Sequence, residues 1–323
     1  MAQMTYMEAL RDGMRMEMRR DGNVFLAGED VGFFGGCFGQ TAGLFDEFGK
    51  ERVVDTPITE TAILGLGVGS AAAGLRPIVE LMFMDFMGVC MDEIFNQMAK
   101  IHYMFGGQRS VPMVLRAPDG LINQAAAQHS QSIEAWFMHI PGLKVVIPSN
   151  PADAKGLLKS AIRDDSPVIY FEHKALFNTR GAVPDGEVLS PIGKAKVARE
   201  GSDVTLVSYS HCMGLSLKAA DILAGEDVSV ECIDLRTISP IDKETILASV
   251  AKTTRLVIAH EAVKQGGVGA EISAIVAEEG IDFLDAPIVR VGAPFTPVPF
   301  ARPLEQAYRV TPEKIAEAIR GLF

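Results

Sequence analysis

The sequence predicts an α/β protein of two domains, each a mainly parallel sheet with helices on both faces. Short apolar runs that are typical of buried strands alternate with amphipathic stretches of roughly 10–15 residues that are typical of helices. This alternation occurs twice along the chain, and a stretch without periodicity separates the two series. Strands that are connected through helices pair in parallel and are covered on both faces, so each series predicts one such domain.

The stretch without periodicity sets the domain boundaries. It contains Gly181, Pro184, Gly186 and Pro191, which break helices and strands. We therefore predict a first domain at 1–175, a linker at 176–191 and a second domain at 192–323.

In the first domain the amphipathic pattern begins with a helix at 6–20. Apolar runs predict strands at 24–27, 53–54, 77–84, 111–115, 144–147 and 168–171, and periodic segments predict a helical turn at 45–48 and helices at 92–105 and 151–163. Gly106 and Gly107 end the second of these helices, and Asn150 followed by Pro151 starts the third.

The second domain repeats the pattern. Strands are predicted at 204–208, 229–234, 255–259 and 288–291, and helices at 213–223, 242–251 and 268–279. Thr311 followed by Pro312 is an N-cap signal for a final helix, with Ile315, Ala316 and Ile319 on its inner face.

Charge and composition exclude several functional classes. The 323-residue chain has a net charge of -11, which argues against nucleic acid or an anionic membrane as its main partner. Its longest apolar run, 61–75, is too short and too rich in Gly and Ala to cross a bilayer, and the N-terminus lacks a signal-peptide pattern. Four scattered cysteines are typical of a reducing compartment, so we predict a cytoplasmic protein.

The stretch from Asp55 to Leu75 has the most unusual composition. Pro57 and Thr59 predict the start of a helix, which Glu60 opens as its only acidic residue. Gly65 and Gly69 recur on one face, which would let another backbone approach closely. Gly65 and Gly67, followed by Ser70, also resemble a dinucleotide fingerprint, but these glycines lie inside a helix, so close packing is favoured.

Two histidines are candidates for chemistry. His129 lies in a polar loop after a buried strand, a position that suits either an acid/base role or a structural hydrogen bond. His260 also follows a buried strand and is the weaker candidate.

Several segments together resemble a known family. Glu60 followed by Gly65 and Gly69 is similar to the pyrimidine-side motif of thiamine diphosphate enzymes. Similarity to the beta subunit of the first component of 2-oxo acid dehydrogenases, with its transketolase-like pyrimidine-binding and C-terminal domains, covers nearly the whole chain and is carried by 55–60, 80–86, 103–107, 127–131, 136–146, 234–237 and 296–300. Segments 81–86 and 104–107 are most similar to the acetoin dehydrogenase branch, and pyruvate and branched-chain members are close.

The resemblance implies an enzyme that cleaves acetoin, or decarboxylates pyruvate, and transfers the two-carbon unit to lipoamide. It implies an alpha2-beta2 heterotetramer in which the alpha subunit holds Mg2+ and the diphosphate of thiamine diphosphate, and a lipoyl acyltransferase as a further partner. The chain lacks the alpha subunit's Gly-Asp-Gly motif and is expected to be inactive alone. The alternatives are a branched-chain 2-oxo acid dehydrogenase beta subunit and a non-catalytic interaction subunit.

The resemblance also assigns residues. Glu60 is expected to meet the aminopyrimidine ring and so promote formation of the ylid that attacks a carbonyl carbon, and His129 is expected to donate a proton during acyl transfer. The cofactor ring is expected to contact Ile58, Met82 and Phe86 as well as Glu60. A K+ site is expected at residues near the end of one helix, namely Ala161, Ile162 and Asp164.

Overall fold

Two mainly parallel sheets organise the chain in a computed structural model that describes residues 1–323. The strands within 1–192 are β1 (Ala2–Thr5), β2 (Val24–Gly28), β3 (Val53–Asp55), β4 (Arg76–Glu80), β5 (Val114–Asp119), β6 (Lys144–Val146), β7 (Val168–His173) and β8 (Arg180–Val183). Six of them form parallel pairs in the order β6-β7-β5-β4-β2-β3, and β1 pairs with β8 in an antiparallel ribbon. The predicted parallel sheet is confirmed.

The helices within 1–192 cover this sheet. They are α1 (Tyr6–Arg20), α2 (Leu44–Phe48), α3 (Glu60–Ala72), α4 (Ile101–Met104), α5 (Glu134–Met138) and α6 (Pro151–Arg163), with 3-10 turns at Met84–Cys90 and Lys174–Leu176 and a π-helix at Glu93–Met98. Leu10 of α1 and Leu157 of α6 share a core with Ile78, whereas α3 packs Gly67 on Val79. Neighbouring strand residues point to opposite faces, so α3 lies on the face opposite α1 and α6.

The second sheet lies within 193–323. Its strands are β9 (Lys196–Arg199), β10 (Val204–Ser208), β11 (Val230–Asp234), β13 (Leu256–Val263) and β14 (Val289–Ala293), and a short strand β12 (Thr237–Ser239) precedes β13 in the chain. The order is β14-β13-β10-β11-β9, parallel except for β9.

The helices of this part are α7 (Ser210–Ala224), α8 (Lys243–Thr253), α9 (Val268–Glu279), α10 (Arg302–Tyr308) and α11 (Pro312–Arg320), with a 3-10 turn at Ile281–Phe283. Leu206 shares a core with α7 and α11, whereas the neighbouring Thr205 hydroxyl bonds to Ser249 on α8. Helices therefore cover both faces here as well.

The chain divides into two compact units, and the division is not a single cut. One unit contains 1–119 and 136–192, and the other contains 120–135 and 193–323. The main boundary falls at the end of the segment that the sequence predicts as a linker. Residues 120–135, which the sequence analysis places in the first domain, are grouped with the second unit.

Several predicted elements differ from the structure. The strand predicted at 111–115 begins instead at Val114, because Pro112 cannot donate a ladder hydrogen bond. The single helix predicted at 92–105 is divided into the π-helix and α4. The predicted linker contains β8, and α10 was not predicted.

Candidate active site

Three adjacent strands of the first unit end at the same level. Gly28 of β2 pairs with Asp55 of β3 and with Glu80 of β4. The segments that follow these strands therefore start side by side, at the edge where ligands bind in parallel sheets. Two of these segments contain the four predicted cofactor contacts. Ile58 and Glu60 follow β3, and Met82 and Phe86 follow β4.

Glu60 is the first residue of α3 and is partly exposed. Thr59 occupies the N-cap position, but its hydroxyl donates to the carbonyl of Pro57 and accepts no helix N–H. The first N–H groups of the helix are thus left without a side-chain cap. A negative charge is favoured there by the helix dipole, so the position suits the Glu60 carboxylate.

Glu29 is a second carboxyl close to Glu60. Burial, followed by the negative charges of Glu60 and Asp30, raises the pKa of Glu29 above its ordinary value. The Thr61 hydroxyl donates to the carbonyl of Val89 at 3.2 Å, which fixes the start of α3 to the 3-10 turn after β4. The site thus combines the partly exposed carboxyl of Glu60 with the buried carboxyl of Glu29, and the pKa of Glu29 lies above its ordinary value.

Aromatic contacts orient the ring of Phe86. Its centroid lies 5.5 Å from that of Phe83 at an interplanar angle of 68°, and Phe83 lies 5.7 Å from Phe38 at 78°. The ammonium of Lys174 lies 5.1 Å from the Phe83 centroid. Such edge-to-face pairs fix ring planes, so Phe86 presents a defined apolar surface.

A buried ionic network connects the strands β4, β5 and β7. Arg116 donates from Nε to Glu172 Oε1 at 2.6 Å and from Nη1 to Glu80 Oε2 at 2.7 Å, and Gln40 Nε2 donates to Glu80 Oε1 at 2.8 Å. All four side chains are buried. Burial raises the pKa of Glu80 to about 7; Arg116 lowers it and the charge of Glu172 raises it.

The residues of the expected K+ site come together at the opposite edge of this sheet, where α6 ends. The carbonyls of Ile162 and Asp164 each accept a hydrogen bond from Arg76 Nη1 at 3.1 Å, and the carbonyl of Ala161 accepts from the Asp164 N–H at 3.3 Å. Lys144 Nζ lies 2.5 Å from Asp164 Oδ2. Two protein cations therefore already contact this group of oxygens.

His129 belongs to the second unit, in the segment 120–135. It is partly exposed, and its backbone N–H donates to the carbonyl of Ala126 at 3.4 Å. His260, by contrast, is fully buried and lies 3.1 Å through Nδ1 from the carbonyl of Ala262. Burial lowers the pKa of His260 to about 4, so this side chain is neutral and structural.

Comparison with known proteins identifies the fold and the family. The transketolase pyrimidine-binding domain matches residues 2–179, and the transketolase C-terminal domain matches 193–315. The acetoin:2,6-dichlorophenolindophenol oxidoreductase subunit beta of Bacillus subtilis is 47% identical, over 98% of this chain and 96% of its own length. This chain belongs to the family of 2-oxo acid and acetoin dehydrogenase beta subunits.

Other members of the beta-subunit family are equally similar. The pyruvate dehydrogenase E1 component subunit beta of Rickettsia felis is 48% identical over 98% of both chains, and the 2-oxoisovalerate dehydrogenase subunit beta of Bacillus subtilis is 45% identical over 100% of this chain and 99% of its own. A solved split-gene transketolase, an inactive beta4 tetramer, shares the fold with a TM-score of 0.81 at 21% identity, covering 99% of this chain and 98% of that one.

Sequence reasoning about this beta subunit missed the ionic network. Glu80, Arg116 and Glu172 each interrupt or end an otherwise apolar strand, and a charge in a buried strand is the signal that could have revealed it. No group of three or more His, Cys, Asp or Glu side chains is arranged to hold a metal ion. None of the helices combines the length and the apolar character that a membrane span requires.

Proposed function

We propose that this chain is the beta subunit of a thiamine-diphosphate-dependent first component that cleaves acetoin, or decarboxylates pyruvate, and passes the two-carbon unit to lipoamide. The observation that carries the proposal is Glu60, a partly exposed carboxyl at an uncapped helix start beside Glu29 and the 3-10 turn that contains Phe86. The family relatives named above act on acetoin, pyruvate and 2-oxoisovalerate, according to their names.

The residues present fit thiamine diphosphate. When bound, this cofactor supplies the nucleophilic carbon that breaks a carbon–carbon bond next to a carbonyl. Glu60 would hold a proton at a nitrogen of the aminopyrimidine ring, as a carboxyl at this position can both donate and accept. Phe86 and Met82 would pack against the ring, and Ile58, which is 78% exposed, would be covered together with it.

The alpha subunit supplies the remainder of the cofactor site in this proposal. It would hold Mg2+ and the diphosphate within an alpha2-beta2 assembly, and the chain described here would be inactive without it. The open face of α3 supports this arrangement, because a Cβ at Gly65 or Gly69 would meet nothing within 4 Å.

His129 acts in the second half of the proposed reaction. A new carbon–sulfur bond would replace the bond that carried the two-carbon unit, while the lipoyl sulfur–sulfur bond would accept two electrons and break, so that the second sulfur would leave as a thiolate. His129 donates the proton that this thiolate takes up, a role for which imidazole is suited near neutral pH.

K+ would bind at Ala161, Ile162 and Asp164. A carbonyl oxygen has two lone pairs, so the single hydrogen bond that each accepts, from Arg76 at Ile162 and Asp164 and from the Asp164 N–H at Ala161, leaves each able to ligate a cation. The two neighbouring cations are matched by two carboxylates, since Arg76 pairs with Asp165 and Lys144 pairs with Asp164. The local formal charge is therefore zero before K+ binds.

The test is turnover of the complex reconstituted with its alpha chain. We expect Glu60→Gln to assemble normally and to lose roughly 10²–10⁴-fold in turnover, the usual contribution of a positioned acid/base group. Glu51→Gln, an exposed glutamate of the same domain, is the control. A rate near that of the wild type for Glu60→Gln would overturn the assignment and favour a non-catalytic subunit.

The role of His129 has its own assay. We expect His129→Ala to reduce the lipoyl-dependent reaction much more than the reaction with an artificial electron acceptor, because only the former needs the proton at sulfur. Equal losses in both assays would reject the role. Parallel assays with acetoin, pyruvate and branched 2-oxo acids identify the substrate, and exclusive use of branched acids would establish the branched-chain alternative.

A further inference from the structure

Two carboxylates of the second unit bind the backbone of the segment 120–135, which we call the His129 segment. Glu261 Oε1 accepts the N–H of Leu121 at 2.6 Å and the hydroxyl of Ser132 at 3.3 Å. One carboxylate oxygen therefore ties together two positions that lie on either side of His129. Hydrogen bonds to a charged acceptor are stronger than those between neutral groups, so Glu261 holds these two positions strongly.

Glu305 holds the segment at a second point. It is only 3% exposed, and its Oε2 accepts the N–H of Gln124 at 3.0 Å. Its Oε1 accepts from Arg309 Nη2 at 2.6 Å, and the same nitrogen donates to Asn123 Oδ1 at 3.0 Å. Glu305 and Arg309 thus act together on two consecutive residues of the segment.

The conformation held at this point is a costly one. Gln124 and Ala126 have φ values of 55° and 59°, in the left-handed region that residues with a Cβ seldom adopt. Such backbone persists only where the surroundings impose it. The hydrogen bond from Gln124 to Glu305 is therefore placed where the segment most needs support.

Packing and a hydrogen bond hold the two ends of the segment, and a cavity borders part of its middle. Leu121 is buried with Val298 and Tyr308, and Tyr209 donates to Glu134 at 2.6 Å. Between these ends, a cavity of about 310 Å³ borders Ala127 and Gln131, which lie on either side of His129. The hydrogen bonds from Glu261 and Glu305 therefore hold the segment next to a cavity, where packing is incomplete.

We propose that Glu261, Glu305 and Arg309 are positioning residues that set the location of His129 for proton transfer. The proposal rests on the role given to His129 above. None of the three need touch the substrate. Their hydrogen bonds keep the His129 segment in one conformation, so that the imidazole is held at one position instead of sampling several.

Hydrogen exchange of the 323-residue chain, alone and assembled with its alpha chain, tests the structural part. We expect Glu305→Ala to speed amide exchange in peptides covering 120–135 by roughly tenfold or more, as a lost buried hydrogen bond would. Glu305→Gln should restore much of the protection, because its amide oxygen can still accept the Gln124 N–H. Glu226→Ala, which breaks a surface ion pair with Arg320, should leave the segment unchanged.

Activity of the assembled enzyme tests the positioning. We expect Glu305→Ala to lower kcat of the lipoyl-dependent reaction, with a smaller effect on KM and on the artificial-acceptor assay. Should Glu305→Ala fail to fold, Arg309→Met serves instead, since the Arg309 side chain is 35% exposed and its loss removes the donors to both Glu305 and Asn123.

The outcomes separate this proposal from the proposed function. Unchanged exchange in 120–135 overturns it whatever the rates are. Faster exchange with an unchanged lipoyl-dependent rate also overturns it, provided that His129→Ala is impaired in the same assay. If His129→Ala is not impaired either, the role of His129 itself has failed and the positioning role falls with it.

Discussion

Alanine at three glycines of α3 tests which face of the helix is buried within its own chain. A Cβ at Gly67 would lie 2.7 Å from Val79 Cγ2 and from Met113 Cε, whereas a Cβ at Gly65 or Gly69 would meet nothing within 4 Å. Gly67 therefore packs on the sheet of its own unit, and the other two glycines face away. The same substitution should have opposite effects at neighbouring positions of one helix.

The expected magnitudes follow from helix propensity and packing. Alanine is favoured over glycine inside a helix by ~0.5–1 kcal/mol, so Gly65→Ala and Gly69→Ala should each raise the free energy of unfolding by about that amount. At Gly67 the methyl group overpacks the interface, which costs ~1–3 kcal/mol. Met113 can move its terminal methyl, but Val79 is β-branched and stiff, so a net loss of about 1–2 kcal/mol is expected.

Urea unfolding of the purified chain, followed by circular dichroism, measures these changes. Gly22→Ala is the control, because a Cβ at this loop glycine also meets nothing but gains no helix propensity. Leucine at Gly65 or Gly69 extends the test to assembly: the isolated chain should remain stable, and association with the alpha chain, measured by size-exclusion chromatography, should weaken.

Two results would refute the reasoning about α3. Equal effects of alanine at all three glycines would show that the helix does not distinguish its two faces. Leucine variants that assemble with wild-type affinity would show that the open face of the helix is not covered by the alpha chain.

Two further predictions concern pH and K+. The pKa of Glu80 in the folded chain lies above its ordinary value of 4.5. Protonated Glu80 therefore contributes to the free energy of unfolding below pH 4.5, and this contribution is lost as pH rises to about 7. The loss amounts to about 3 kcal/mol, and the unfolding free energy of Glu80→Gln should decline less over this range; parallel curves would contradict this. KCl should raise Tm by a few degrees over NaCl at equal ionic strength, and Asp164→Ala should abolish the difference; identical melting in both salts would exclude the site.

The elements best predicted from sequence are those whose signals are local. Helix α1 has the predicted bounds because Thr5 and Glu8 form a capping box, in which Thr5 accepts the Glu8 N–H at 3.1 Å and donates its own N–H to Glu8 Oε2 at 2.7 Å. The side chains of Asn150 and Thr311 cap α6 and α11 as expected. In each case the residues that decide the boundary lie within one turn of it.

The unpredicted features depend on contacts between distant residues. Arg116 meets Glu80, 36 residues earlier, and Glu172, 56 residues later, and nothing in a local window pairs these charges. The N–H of Leu121 donates to Glu261, 140 residues away, which explains why the sequence predicts a polar loop after β5 but does not assign it to the second unit. Periodicity identifies faces of elements, and it carries no information about which distant polar groups meet them.

The first residue of the segment 55–60 has a structural task that the sequence did not reveal. Asp55 Oδ1 accepts the N–H of Gly32 at 2.6 Å, and a Cβ at Gly32 would lie 2.5 Å from Asp55 Oδ2, so only glycine fits there. Asp55 thus anchors the glycine-rich loop that follows Glu29, while Gln40, from the same loop, bonds to Glu80. Glu29 lies within five residues of Gly32, and Glu60 lies within five residues of Asp55. The hydrogen bond between Gly32 and Asp55 therefore helps to set the distance between the two glutamates, although neither residue takes part in the proposed chemistry.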